Sequence, residues 1–281
     1  MEMKEDAIEF ENYIDNLDLT KTTKKAYIRE YHKYLKNYGN IPLKNNPKIK
    51  NNIKNEDLYK TLSSRKQAYG MLIHYFRHMN IDKNVDVMRD YLTRVNIELN
   101  SNYKVRNQDL KIILPSKRKL LQFNIKNFND AKWKAYIINY LLYNFNVRNL
   151  DLEAEIINDD KLIKPNKNYL LLKPKKTTYI RDNYKTRDKY GKKVHYIKSE
   201  KFNYAIEEFV KQNDNLESIP LLGNKVNLTQ EITKYTYENL SEGDIFKVFI
   251  TDKKELKNYN KLAKSRGTTL DVIMNNYVLN N

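Results

Sequence analysis

Apolar residues recur at helical spacing over most of the chain, and the polar stretches between them divide it into elements. Ile8, Phe10, Tyr13, Ile14 and Leu17 mark a first helix. Thr20 offers an N-cap to a second, whose apolar face is Ala26, Tyr27, Tyr31, Tyr34 and Leu35. Gly39, Pro42 and the Asn/Lys-rich run 44–55, with Pro47 inside it, read as a loop. A short helix is expected near 56–62. Another should run from Ser63 or Ser64 to Met79, with Tyr69, Leu72, Ile73 and Phe76 inward. A further one over about 85–108 has Val87, Tyr91, Leu92, Val95 and Leu99 in register. Pro115 and the basic Lys117, Arg118 and Lys119 break the pattern. The expected organisation is a helical domain over 1–108, a basic linker over 109–122 and a second domain over 123–281.

The second domain opens with a strongly apolar helix over 130–145. The pattern then changes. Residues 169–172, 177–184 and 192–197 read as strands, with a basic turn over 185–191. Amphipathic helices are expected over 202–211, 228–240, 244–251 and 252–265, with a turn at 220–224. In the last stretch Thr268 and Thr269 can cap a helix on which Leu270, Ile273, Met274 and Tyr277 share one face. The fold class is mainly α with a small antiparallel β-sheet: a helical N-terminal domain followed by an α+β domain.

Composition narrows the chemistry. There is no cysteine among the 281 residues, which excludes disulfide frameworks, thiolate metal sites and cysteine nucleophiles. Of the four histidines, His74 and His78 stand at i, i+4, but without the glutamate of a zinc-protease motif they read as a solvated or core pair. No metal or other cofactor is expected. No run of eighteen apolar residues spans a membrane, and the charged start Met-Glu-Met-Lys-Glu-Asp is not a secretory signal. The expected location is intracellular. The net charge is +17, and its distribution matters more than its size. Residues 101–200 hold 23 Lys and Arg against 10 Asp and Glu, while residues 201–281 hold 11 of each. A concentrated positive field of this kind suits a polyphosphate partner. Lys24, Lys25, Lys117, Arg118, Lys119, Arg187, Lys189, Lys192 and Lys193 are the candidate DNA contacts.

The order of elements resembles the tyrosine recombinase (phage-integrase-like) family, and the resemblance covers nearly the whole chain. The run LLYNFNVRNLDL at 141–152 resembles the box of the first catalytic arginine, with Asp151 three residues after Arg148. Tyr184, Lys185 and Thr186, followed by Tyr190 and Gly191, resemble the hairpin that presents a catalytic lysine. Gly267, Thr268 and Thr269 resemble the start of the nucleophile box, and Tyr277 follows Thr268 at the family's spacing of nine.

The sequence departs from the family at two points. Thr268 stands where the family has His, and the second-arginine box is altered at 243–251. There Lys247 is one stand-in for the missing guanidinium, and Arg266 is another. The resemblance implies a site-specific recombinase or integrase, of a mobile element or virus, acting on double-stranded DNA as a homo-oligomer. Tyr277 would attack a phosphodiester to form a 3′-phosphotyrosine. Arg148 would clamp the phosphate and Lys185 would protonate the leaving oxygen. A degraded relative that binds DNA without cutting it is the alternative. Other readings stay open at single positions: Tyr277 as core, Arg148 as a partner of Asp151, and Lys185 as a phosphate contact only.

Overall fold

The structure is a computed structural model. It describes residues 2–38, 53, 57–174, 176–214, 216–223, 227–251 and 256–278. The expected loop at 39–55, apart from Ile53, lies outside the described residues, as do Asn224 and the start of the helix expected over 252–265. Two units divide the chain, Met1–Tyr103 and Lys104–Asn281.

In the first unit α1 (Glu2–Asp15), α2 (Lys21–Tyr38), α3 (Leu62–His78) and most of α4 (Asp82–Ile113) surround an aromatic core. Phe10, Tyr31, Tyr34, Tyr69, Tyr75 and Phe76 are buried in it. Thr20 caps α2 by accepting from the Thr23 amide, and Thr61 caps α3 by accepting from that of Ser64. Ile8, expected inward, is 59% exposed. It precedes Phe10 by two residues and so lies roughly 200° around the helix from it. The short helix expected near 56–62 is a single 3₁₀ turn, Asp57–Tyr59.

The stretch expected as a linker, 109–122, holds the end of α4 and the start of α5 (Lys117–Asn129). Pro115 lacks an amide hydrogen and disfavours helix at the residue before it, so the chain breaks there. Ser116 then caps α5 through the Lys119 amide.

In the second unit α5 and α6 (Trp133–Phe145) lie beside α8 (Glu200–Lys211) on one face of a five-stranded sheet. The sheet comprises β1 (Ala154–Ile157), β2 (Asn168–Lys173), β3 (Lys176–Arg181), β4 (Lys193–Ile197) and β5 (Ser218–Pro220), in the order β4-β3-β2-β1-β5. It is mixed rather than antiparallel, because β1 and β2 pair in parallel. Alternation along the strands gives each face its own apolar set. Ile156, Leu170 and Tyr179 face the helices, while Ile157, Tyr169, Leu171 and Ile180 pack on the turn at 160–163. The expected turn at 220–224 instead begins with the last residue of β5.

Between β3 and β4 the chain forms one helical turn, α7 (Arg187–Tyr190). After β5 come α9 (Leu228–Thr233), α10 (Glu242–Thr251), α11 (Leu256–Arg266) and α12 (Leu270–Asn276). The helix expected over 228–240 is thus α9 followed by a separate 3₁₀ turn, Tyr237–Asn239. Phe246, Ile250, Tyr259, Leu262, Ala263 and Ile273 bind α10, α11 and α12 into a small core of their own.

Candidate active site

Every residue of the site lies in the second unit, and three chain reversals bring them together. The first is the end of α6. Asn146 takes the left-handed conformation, φ 52°, that ends helices, and Arg148 follows as the chain turns toward the sheet. The Asp151 carboxylate accepts from the Arg148 backbone N–H at 2.8 Å and forms a buried ion pair with Arg181 at the end of β3. Asp151 therefore serves the Arg148 backbone, and the Arg148 guanidinium is left for other partners. Its Nη2 donates to the Gly267 carbonyl at 3.4 Å, while its buried Nη1 has no hydrogen-bond partner among the described residues.

The second reversal joins α11 to α12. Gly267 sits at φ +69°, a region that favours glycine, and a Cβ there would come within 2.1 Å of Thr186 Oγ1. The Thr186 hydroxyl donates to the Gly267 carbonyl at 2.8 Å. The turn before β4 and the corner before α12 are thereby tied together. Thr269 accepts from the Val272 amide and caps α12. Tyr277 is the first residue past that helix.

Arg266 is the centre of the arrangement and is 1% exposed. Its Nη2 donates to Glu242 Oε2 at 2.7 Å and to the Tyr277 hydroxyl at 3.4 Å. Its Nη1 reaches the Val147 carbonyl at 3.3 Å, next to Arg148. Its guanidinium stacks on the Phe246 ring at 4.0 Å and lies 4.8 Å from the Tyr277 ring. Glu242 and Phe246 are four residues apart on α10, so one helix face supplies both the carboxylate and the stacking ring. Burial alone would lower the Arg266 pKa, but Glu242 and Tyr277 hold it above the ordinary value. Arg148 is pushed down by burial and by Arg266 beside it. Burial raises the Glu242 carboxyl, against the pull of Arg266 and Arg148.

The third element is the start of β4. Lys193 Nζ donates to the carbonyls of Lys264 and Ser265 at 3.0 and 2.7 Å and lies over the Tyr184 ring at 4.8 Å. Burial, with Arg181 and Arg148 nearby, lowers its pKa to about 8. In the sheet register Lys193 stands directly opposite Arg181. Like charges in that relation disfavour pairing, and the ion pair of Arg181 with Asp151 offsets this. His195, two residues on, packs against Phe145 at 5.0 Å, and its buried Nε2 has no partner among the described residues. Burial, Arg181 and Lys193 lower its pKa to about 4.

Of the residues the sequence singled out, Arg148, Arg266 and Tyr277 meet in this site. Lys185 is exposed in the turn before α7. Lys247 is buried and pairs with Asp244 at 3.5 Å. It lies about 100° around α10 from Phe246. Among the expected DNA contacts, Lys25, Arg118, Lys119, Lys189 and Lys192 are exposed. Lys24 bonds the Asp15 carbonyl, Lys117 lies over the Phe249 ring, and Arg187 pairs with Asp182.

Lys193, expected as a DNA contact, sits beside the site residues. Arg181 and Glu242 carried no sequence signal, because each meets its partner only through folding. Among the described residues no group of three His, Cys, Asp or Glu side chains could hold a metal ion. No described helix is long and apolar enough to cross a membrane.

Neither known family models nor curated proteins give a match to the chain. Among solved structures, a crystal structure of XerA recombinase aligns over 99% of this chain and 94% of that one, at 12% identity and a TM-score of 0.37. So low a score carries no argument about function.

Proposed function

We propose that the chain is a DNA strand-transferring enzyme of the tyrosine recombinase type, with Tyr277 as nucleophile. One observation carries the reading: Arg266 donates to the Tyr277 hydroxyl, Arg148 lies within electrostatic reach of both, and Lys193 and Arg181 adjoin Arg148, with Asp151 and Glu242 as the carboxylates paired among them. Half-buried positive charge in excess calls for an anion, and the unpartnered Arg148 Nη1 supplies a donor for one.

Within this reading each group has a task. Arg148 binds the non-bridging oxygens of the scissile phosphate as charge builds on them. Arg266, buried and already bonded, holds the Tyr277 hydroxyl and the backbone before Arg148, so that nucleophile and clamp share one fixed centre. Lys193 takes the proton-donor role that the sequence gave to Lys185. Two of its three N–H groups are bound by carbonyls, leaving one for the departing 5′ oxygen. A pKa near 8 keeps it protonated at neutral pH while easing release of the proton. The exposed lysines and arginines of α5 and the β3–β4 turn would meet the duplex backbone, and more than one copy would work on DNA.

A pool of nicked duplexes, randomised around the nick, tests the reading. Wild-type chain should leave a covalent protein–DNA adduct that survives denaturation, and Tyr277→Phe should leave none. Salt-sensitive binding without an adduct would support the alternative of a chain that binds DNA without cutting it.

A further inference from the structure

The reaction so far leaves one proton without a destination. Tyr277 must lose its hydroxyl hydrogen, and Lys193, a donor, cannot receive it while protonated. Glu242 is the carboxylate that shares a donor with that hydroxyl: one nitrogen, Arg266 Nη2, lies 2.7 Å from Glu242 Oε2 and 3.4 Å from the Tyr277 oxygen. The other carboxylates close by share no donor with that hydroxyl. Asp151 is bound through Oδ2 to Arg181 and to the Arg148 amide, its buried Oδ1 having no hydrogen-bond partner among the described residues, and Asp244 is bound to Ser241 and Lys247. Arg266, Arg148 and Asp151 are the charged groups that act on Glu242 from the surrounding elements, two stabilising its anion and one opposing it.

In the free protein a carboxylate at the arginines does what a phosphate does when bound: it neutralises them. Once a phosphodiester enters, two anions share one set of donors in a site where the Glu242 side chain is only 17% exposed. Repulsion between them is relieved when the carboxylate takes up a proton.

We propose that Glu242 accepts the Tyr277 proton, and that its basicity rises when a phosphodiester occupies the arginines. The proposal rests on the strand-transfer reading above. In the step, the bond from Tyr277 oxygen to phosphorus forms as the bond from phosphorus to the 5′ oxygen breaks. The hydroxyl proton ends on Glu242, and the 5′ oxygen receives one from Lys193. Rejoining runs the same transfers backward. Burial already biases Glu242 in this direction, holding its carboxyl above the usual carboxylate range.

Two measurements test it. In protein carrying carboxyl-¹³C glutamate, with the Glu242 signal assigned through Glu242→Gln, the midpoint of titration should rise by about one unit or more when random-sequence duplex is added. A midpoint that stays put or falls overturns the proposal, whether or not the protein cuts DNA. On duplexes that the wild type cleaves, Glu242→Gln should slow adduct formation by about 100-fold or more and abolish the fall in rate toward acid pH. Glu242→Asp should restore that fall in part. A Gln variant that keeps both the rate and the acid fall overturns it. Absence of any adduct from the wild type counts against the strand-transfer reading itself, and the titration then judges Glu242 separately.

Discussion

Two arginine–carboxylate pairs of the second unit, Arg181 with Asp151 and Arg266 with Glu242, have different consequences. Arg181 and Asp151, 0% and 1% exposed at the side chain, join the end of β3 to the turn after α6. Around them are main-chain groups: the Phe145 carbonyl on Arg181, the Arg148 amide on Asp151, and the Tyr179 hydroxyl on the Asp151 carbonyl. Arg266 is also buried, but the nitrogen it shares with Glu242 reaches a tyrosine hydroxyl, and Glu242 keeps 17% of its side chain exposed. The same chemistry fixes a backbone in one place and holds a tyrosine hydroxyl in the other. The difference lies in what else touches the pair.

Substitutions at four positions would break or sharpen this contrast. The largest effect is expected for Lys193→Ala, which should slow adduct formation by about 10²–10⁴-fold with little change in DNA affinity. A duplex whose leaving 5′ oxygen is replaced by sulfur, a better leaving group that needs no proton, should recover most of that loss. In the wild type the rate should fall as pH rises past about 8, where Lys193 loses its proton. Asp151→Ala should follow, destabilising the chain by about 3–5 kcal/mol in urea unfolding, because it leaves Arg181 buried without a counter-charge. If it costs under about 1 kcal/mol, the assignment of that pair to the fold is wrong.

Gly267→Ala should cost about 1–3 kcal/mol, since the positive φ strains alanine and the Thr186 hydroxyl must turn away from the Gly267 carbonyl. Its thermal midpoint, measured beside that of Gly267→Asn, separates strain from clash, because asparagine tolerates the backbone but not the space. The smallest effect is expected for His195→Phe. The native fold keeps His195 neutral, with its pKa lowered to about 4, whereas the unfolded chain binds a proton near 6.5. Stability drawn from this residue is present above pH 6.5 and is lost as pH falls toward 4. The phenylalanine variant should therefore lose less stability than the wild type over that window in acid unfolding.

What the sequence discloses depends on how far apart the partners stand in the chain. Caps such as Thr20 and Thr269 act within three residues and can be read directly. So can the apolar faces of α3 and α12. The strands β1 and β5 are four and three residues long and carry too little alternation to announce themselves. The parallel pairing of β1 with β2 exists only through tertiary placement.

In the site, Arg148, Arg266 and Tyr277 could be named from spacing and resemblance. Which lysine stands beside them could not be read from spacing. The turn and the start of β4 hold Lys185, Lys189, Lys192 and Lys193, and only the fold shows that Lys193 meets the α11 carbonyls while Lys185 stays exposed. Glu242 was passed over because its partner lies 24 residues away.

The mounting of Tyr277 bears on how a strand could be cut and resealed. The residue lies one step beyond α12, and its amide and that of Val278 both return to the Ile273 carbonyl, at 3.0 and 3.2 Å. Ile273 is fully buried, whereas Tyr277 is only partly so. A buried residue therefore carries a short arm whose two amides are held at a single carbonyl oxygen. Swinging that arm toward a phosphorus and back would disturb those two bonds and the hydroxyl's bond to Arg266, and leave the turns of α12 wound. Attack and release would then be excursions of one residue rather than rearrangements of a helix, and the nucleophile would return to Arg266 each time it let go.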